Sequence, residues 1–323
     1  MHHHWIRSVV AGASIVAVGA GPAAAQSYPA KPVRIVTAEP GGGNDVAARI
    51  IAAHLAGPLG QPVVIDNRGG ASGVIAAEYV IRSAPDGYTL MLYSSAIWIM
   101  QFLRTISFDA LRDFAPITLA ASAPNILVVH PSLPVKSVKD LIALAKARPG
   151  QLNFATGGSG AAAHLSAELF KSMAHIDMVR VIYKGTGPGL TALIGGEVQV
   201  MFPAAGAVAY YIQSGRLRAL GVTSLRPSAL APGVPTIAAS GLPGFDANST
   251  YGIFAPAKTP DAVIRRLNQE FVRVLGIPEV KEQFLKAGME TVGSSPEEFT
   301  AAMKQEMARM GKVIKDAGIG ETR

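Results

Sequence analysis

Four short stretches combine small and polar residues directly after an apolar run. They are Pro40-Gly41-Gly42-Gly43-Asn44-Asp45, Ser94-Ser95, Thr156-Gly157-Gly158-Ser159-Gly160-Ala161 and Lys184-Gly185-Thr186-Gly187-Pro188-Gly189. Glycine lets a backbone come close to a bound molecule and adopt positive φ. A helix opening just beyond offers unpaired N–H groups and a partial positive charge, which suits an anion. The chemistry open to these stretches is therefore anion seating. Residues 40–45 are not a P-loop, because no Gly-Lys-Ser/Thr follows at the required spacing. They are a poor dinucleotide fingerprint too, since Val46 stands where a third small residue belongs. Gly158-x-Gly160-x-x-Ala163 matches the relaxed dinucleotide pattern, but no acidic residue ends the following strand. Three consecutive glycines favour ligand approach at Gly42 and Gly43. At Asp45, as at Asn44, helix capping competes with a ligand role and is preferred for Asp45. Lys184 is either a counter-charge for an anion or a solvated loop lysine.

Other catalytic constellations are missing from the sequence. There is no H-E-x-x-H, no G-x-S-x-G and no cysteine, so nucleophile elbows, thiolate metal sites and disulfides are excluded. Beyond the N-terminal segment the histidines His54, His130, His164 and His175 are scattered. His164, beside a small-residue loop, either faces a cleft or is satisfied within its own helix; the second is the commoner fate.

The elements that must position these stretches follow a strand–loop–helix rhythm. Strands are expected at 33–37, 63–66, 88–93, 126–130, 152–155, 179–183, 198–202 and 219–223. Helices are expected at 46–56, ended by Gly57-Pro58, at 74–83, and from Ser137 to Ala147. Alternation of this kind argues a parallel α/β sheet. Thr259 should cap a helix with Pro260 at its first position, running to Leu275. Ser295-Pro296-Glu297-Glu298 is a capping box for a helix to about Ala317, with Gly318 past its end. These last helices have no strands of their own to cover and should pack back on the first part of the chain.

The first 25 residues hold Arg7 as their only charge, an apolar run at 9–20 and Ala23-Ala24-Ala25. That pattern is a secretory leader cleaved after Ala25, although His2-His3-His4 alone would also fit a truncated tag. Without cysteine a lipoprotein is excluded. Removing 25 of 323 residues leaves 298, a size at which one core usually splits into two lobes. The net charge of +7 becomes +6 once Arg7 is lost. The basic residues are dispersed and the aromatic content is 7%, which argues against nucleic-acid binding.

The ordered set of segments resembles the Bug family, the periplasmic substrate-binding receptors of tripartite tricarboxylate transporters. The resemblance is carried by Tyr28-Pro29-Ala30-Lys31-Pro32-Val33, Pro40-Gly41-Gly42-Gly43 with Asp45, and Ala84-Pro85-Asp86-Gly87-Tyr88-Thr89-Leu90. It continues through Asp113-Phe114-Ala115-Pro116, Leu127-Val128-Val129-His130-Pro131, Tyr183-Lys184-Gly185 and Gly241-Leu242-Pro243-Gly244-Phe245. Phe254-Ala255-Pro256 and Ser294-Ser295-Pro296-Glu297-Glu298-Phe299 complete it. It implies a type II-like periplasmic-binding-protein fold: two α/β lobes joined by two crossing segments, with the ligand cleft between them. Residues 26–125 with 250–323 would form one lobe and 126–249 the other. It also implies a monomer with no cofactor and no chemistry of its own. Such a receptor captures a small carboxylate-bearing solute through the glycine loop and the facing 156–161 loop, then delivers it to two membrane permease subunits.

Three departures from the family pattern re-line the expected pocket. The family's V-P-F-A-P before the glycines is here Val36-Thr37-Ala38-Glu39-Pro40, so an aromatic wall is lost and an acid gained. Its hydroxyl-rich helix start is here Ala161-Ala162-Ala163. Where Asp often follows Met201-Phe202, Pro203-Ala204 stand. Glu39 then has three possible settings: solvent, the cleft, or an internal pair with Arg68 or Lys184. A cleft-facing Glu39 would select an amino acid or amide-bearing solute over a plain carboxylate. An exported enzyme and a sensor presenting its loaded form to a membrane signalling protein are the alternative functions.

Overall fold

The computed structural model describes residues 28–157 and 161–319; the expected leader lies outside the described residues. In chain order the strands are β1 (Val33–Thr37), β2 (Val63–Asn67), β3 (Thr89–Ser94), β4 (Phe114–Ala123), β5 (Ile126–Val129) and β6 (Asn153–Thr156). They continue with β7 (Val179–Ile182), β8 (Val200–Met201), β9 (Arg218–Val222), β10 (Ser249–Pro256) and β11 (Glu290–Thr291). The helices are α1 (Gly43–Leu59), α2 (Val74–Ile81), α3 (Ala96–Ile99), α4 (Ala110–Asp113), α5 (Val138–Ala147) and α6 (Ala162–Ala174). Then come α7 (Thr186–Ile194), α8 (Ala205–Gln213), α9 (Asp261–Leu275), α10 (Pro278–Lys286) and α11 (Pro296–Asp316).

The strands form two sheets, ordered β11-β4-β10-β3-β1-β2 and β7-β6-β8-β5-β9. Both are mixed, which corrects the expectation of parallel pairing. Parallel pairing holds for β2-β1-β3 and for β7-β6-β8, where helices return the chain to the same edge. The exceptions trace to the two crossings. The chain passes from β4 to β5 through only Pro124-Asn125 and enters the second sheet at its facing edge, so β5 runs antiparallel to β8 and β9. On the return, β10 enters antiparallel to β3 and β4.

Apolar alternation buries the backs of both sheets. Val33, Ile35, Leu90 and Leu92 pack under α1, α9 and α10, while Val128, Ala155, Leu193 and Val208 pack on the far side of the second sheet. A third cluster spans the two, joining Trp98, Phe254 and Phe299 to Phe154, Phe170, Phe202 and Phe245. Helix α11 is its spine, because Met303, Met307, Met310 and Ile314 recur at helical spacing. It packs on β4 and α3 of the first sheet and also on α6 of the second. The C-terminal helices therefore do not sit on the first part alone.

Local boundaries differ in instructive ways. Helix α1 runs through Pro58 to Leu59, because a proline in the last turn removes a single hydrogen bond. Gly60, at φ 67°, then closes the helix by donating to the Gly57 carbonyl. Thr259 is not the cap of α9: its hydroxyl turns back to the Pro256 carbonyl (2.8 Å) and the helix starts at Asp261 after Pro260. The stretch Thr186-Gly187-Pro188-Gly189 is the first turn of α7 rather than a loop, since proline is tolerated there. The capping box is formed as expected: the Ser295 hydroxyl accepts from Glu298 N–H, and Glu298 accepts from Ser295 N–H.

Candidate ligand cleft

The C-terminal ends of β1, β2 and β3 meet those of β6, β7 and β8 across the two crossings. At the crossings Thr223 N–H and hydroxyl both donate to the Asn125 carbonyl, and Ala247 N–H donates to the Thr223 carbonyl. A cavity of about 840 Å³ lies between the sheets.

The first glycine turn is held by the protein itself. Gly41 needs its φ of 83°, a region side chains rarely adopt. At Gly43 a Cβ would stand 2.6 Å from the Tyr251 hydroxyl, whereas at Gly42 it would meet only the Glu39 carbonyl at 3.7 Å. Gly42 takes the cap position of α1, and no side chain caps the helix. Asp45 instead ties the turn together. Its buried carboxylate accepts from Gly41 N–H (2.9 Å), Arg49 Nε (2.9 Å) and Asn67 Nδ2 (2.8 Å). Burial pulls its pKa up, but these donors outweigh that and hold it below the usual carboxylate value. Asn44 Oδ1 is buried with no hydrogen-bond partner among the described residues.

Glu39 pairs with neither Arg68 nor Lys184. Its Oε1 accepts from Gly70 N–H (2.7 Å), while Arg68 Nε donates to Asp66 (3.0 Å). Backbone N–H groups, its own and that of Gly70, lower the pKa of this exposed carboxyl. The side chain staples the β1–α1 turn to the β2–α2 turn, and a Cβ on Gly69 would collide with it. Burial, then the Glu39 charge, pushes the Tyr93 phenol up to about 12.

The second glycine turn is held by a cation. Thr156 ends β6, and Arg180 on the neighbouring β7 donates from Nε to the Thr156 hydroxyl (2.8 Å) and from a terminal nitrogen to the Gly157 carbonyl (3.1 Å). Gly158, Ser159 and Gly160 lie outside the described residues. Ala161 precedes α6 and supplies no side-chain cap. His164, one turn along α6, is 2% exposed and stands 3.7 Å from Glu168. Burial, then the Arg180 and Lys171 charges, lowers its pKa to about 4, so it is neutral at pH 7.

Of the residues singled out in the sequence, the cavity wall takes Ser94, Ser95, Ala161 and His164. Glu39, Gly42, Gly43, Asn44, Asp45, Thr156 and Gly157 are not among the residues that line it. Lys184 is exposed, Ala204 is exposed before α8, and the buried Pro203 gives its carbonyl to Ile126 N–H. Residues missed in the sequence complete the wall, among them Arg104, Arg180, Asp246, Glu306 and Arg309. Glu306 accepts from Trp98 Nε1 (3.1 Å), Thr250 Oγ1 (3.3 Å) and the Ser95 hydroxyl. Burial outweighs these bonds and pushes its pKa up to about 7. Arg309 donates to Asp246 (3.3 Å) from the next turn of α11. A signal for Glu306 was available, because it sits on the Met303–Met307–Met310 face, where an acid is out of place.

Among the described residues no group of His, Asp and Glu has metal-binding geometry, and no helix is long and apolar enough to cross a membrane.

Comparison with known proteins identifies the arrangement. The profile of the tripartite tricarboxylate transporter family receptor matches residues 47–319. The protein BugT of Bordetella pertussis is 38% identical over 314 residues, 96% of this chain and 96% of the relative. Among solved structures, Rpa4515 of R. palustris with adipate is 37% identical with a TM-score of 0.71, covering 91% of this chain and 99% of that one. MatC of Rhodopseudomonas palustris with bound malate is 28% identical with a TM-score of 0.67, covering 89% and 100%. The two mixed sheets, the double crossing and the cleft between them are thus those of a type II periplasmic binding protein, and the chain belongs to the tripartite tricarboxylate transporter receptor family, whose members are non-enzymatic solute receptors.

Proposed function

We propose that this receptor captures a small carboxylate at the start of α6. The observation that carries the reading is the second glycine turn. There the half-buried guanidinium of Arg180 and the N-terminus of α6, which Ala161 leaves without a side-chain cap, put positive potential beside the cavity, with the Ser94 and Ser95 hydroxyls in the same wall. Related receptors of known structure hold adipate and malate, both carboxylates. The lobes are residues 26–125 with 250–323, and 126–249; they close on the ligand, and the closed monomer engages two membrane permease subunits. Export follows cleavage after Ala25.

The test is a thermal-shift and calorimetric screen of the mature protein against carboxylates, with small-angle scattering on each hit. A hundredfold excess over Kd adds about 2.7 kcal/mol to stability. At about 2–4 °C per kcal/mol, the melting temperature rises by several degrees. Arg180→Gln weakens binding tenfold or more, since a hydrogen bond to a charged group is worth roughly 1.5–3 kcal/mol. A screen in which amines bind and carboxylates do not would sink the proposal.

A further inference from the structure

Three acids stand in the described wall of the cavity between the sheets, and one of them has no cation of its own. Asp246, in the second crossing, accepts from Arg309 (3.3 Å), and Glu168 of α6 is paired with Lys171 (3.3 Å). The groups that bond Glu306 are all neutral. Its Oε2 accepts from the Trp98 indole and the Thr250 hydroxyl, and the Ser95 hydroxyl is its third partner. Glu306 is surrounded by protein but keeps some accessible surface, and it stands in the walls of two cavities. The second, of about 680 Å³, shares Asp246, Asn248, Glu306 and Arg309 with the first. A proton can therefore reach Glu306 from the second cavity while a ligand fills the first.

The charges around this acid come from few elements. Arg309, on the next turn of α11, favours its ionisation, and Asp246 opposes it. The remaining charges of α11 are exposed. Helix α3 and strand β4 carry no titratable residue, and Tyr251 of β10 packs in the cluster under α1 and α9 instead. Across the first cavity stand His164 and Glu168 of α6, Arg180 of β7, and Arg104. Glu290 and Arg226 stand on the wall of the second.

We infer that Glu306 couples capture to a proton: a carboxylate entering the cavity drives Glu306 into its neutral form, with one proton taken from solvent onto its carboxyl group. The inference rests on the carboxylate reading above and adds a regulation to it. An anion in a cavity away from water repels a second anion that has no counter-charge, and the neutral acid escapes that repulsion. The neutral acid keeps both bonds to Oε2 while Oε1 carries the proton. Without ligand, burial already raises Glu306 from 4.5 to about 7, so a modest further push changes its state. Because the bound form holds the proton more tightly, affinity is complete below about 7. It falls as pH rises above that value and levels off once the bound form has also ionised.

Adipate and malate, which related receptors hold, are the probes. Calorimetry at about pH 7.5 in HEPES and in Tris, which differ in protonation heat, should give different apparent binding heats. Affinity should fall about tenfold between roughly pH 6 and 9, the linkage equivalent of a one-unit shift. Glu306→Gln should remove both the buffer dependence and the pH slope. A second measurement needs no variant. Trp5 lies in the expected leader, which leaves Trp98, bonded to Glu306, as the one tryptophan of the mature protein. Its fluorescence should titrate with a midpoint near 7, and a saturating probe should raise that midpoint by about one unit. Binding heats that are the same in both buffers overturn the inference, as does a pH slope that survives Glu306→Gln. Uptake centred near pH 4 also overturns it, because that proton belongs to His164. If no carboxylate binds at all, the carboxylate reading falls and the coupling with it; binding without proton uptake removes the coupling alone.

Discussion

The two glycine turns look interchangeable in the sequence, each a strand followed by small residues and a helix, yet they are built with opposite charges. In the first, Asp45 lies in the opening turn of α1 and consumes the Gly41 N–H. Its negative charge offsets the positive end of the helix. In the second, Arg180 lies beneath the end of β6, and α6 opens without a side-chain cap. The same loop pattern therefore carries an acid in one place and a cation in the other. Glycine marks where a backbone must bend or come close. The side chains packed around the turn decide what it comes close to.

The difference should appear first in acid. His164, beside the second turn, has a folded pKa near 4 against an ordinary value of 6.5. A depressed folded pKa means its contribution is complete above 6.5 and is lost as pH falls toward 4. The loss is on the order of 3 kcal/mol. Asp45, also depressed but starting from 3.8, gives way only below that value. Glu306 works in the other direction: its pKa is raised to about 7, so its contribution is complete below 4.5 and is lost as pH rises through 7. Denaturant titrations at stepped pH, made in Glu306→Gln, should show stability falling between pH 6.5 and 4. Adding His164→Gln should flatten that fall, and an unchanged slope would erase the contrast.

Replacing Asp45 with Ala comes next. It strands the Gly41 and Asn67 donors and releases Arg49, which costs about 2–3 kcal/mol. The melting temperature should drop by roughly 4–12 °C. A variant that melts like the parent would mean that the first turn is not held by its acid.

The smallest effect separates adjacent glycines. Gly43→Ala presses on the Tyr251 hydroxyl and should cost about 1 kcal/mol. Gly42→Ala meets only one atom, at ordinary contact distance, and should stay within about 0.5 kcal/mol of the parent. If Gly42→Ala nevertheless weakens ligand binding, the first turn does approach the ligand and the contrast narrows.

These outcomes bear on how far the chain could be read without its structure. The strand–helix rhythm was legible because period-two and period-3.6 apolar patterns are local. The capping box at Ser295 was legible for the same reason. The antiparallel strands β5 and β10 were not, since their direction depends on which edge the chain enters after each crossing. The cavity wall was the least legible part. Arg104, Arg180, Asp246 and Arg309 come from separate elements, and no spacing in the sequence relates them. Glu306 alone left a local trace, as an acid on a methionine face.

Helix α11 packs on β4 of the first sheet and on α6 beside the second, and its Glu306 is gripped by Trp98, Ser95 and Thr250. That makes it a mechanical linkage as well as a packing element.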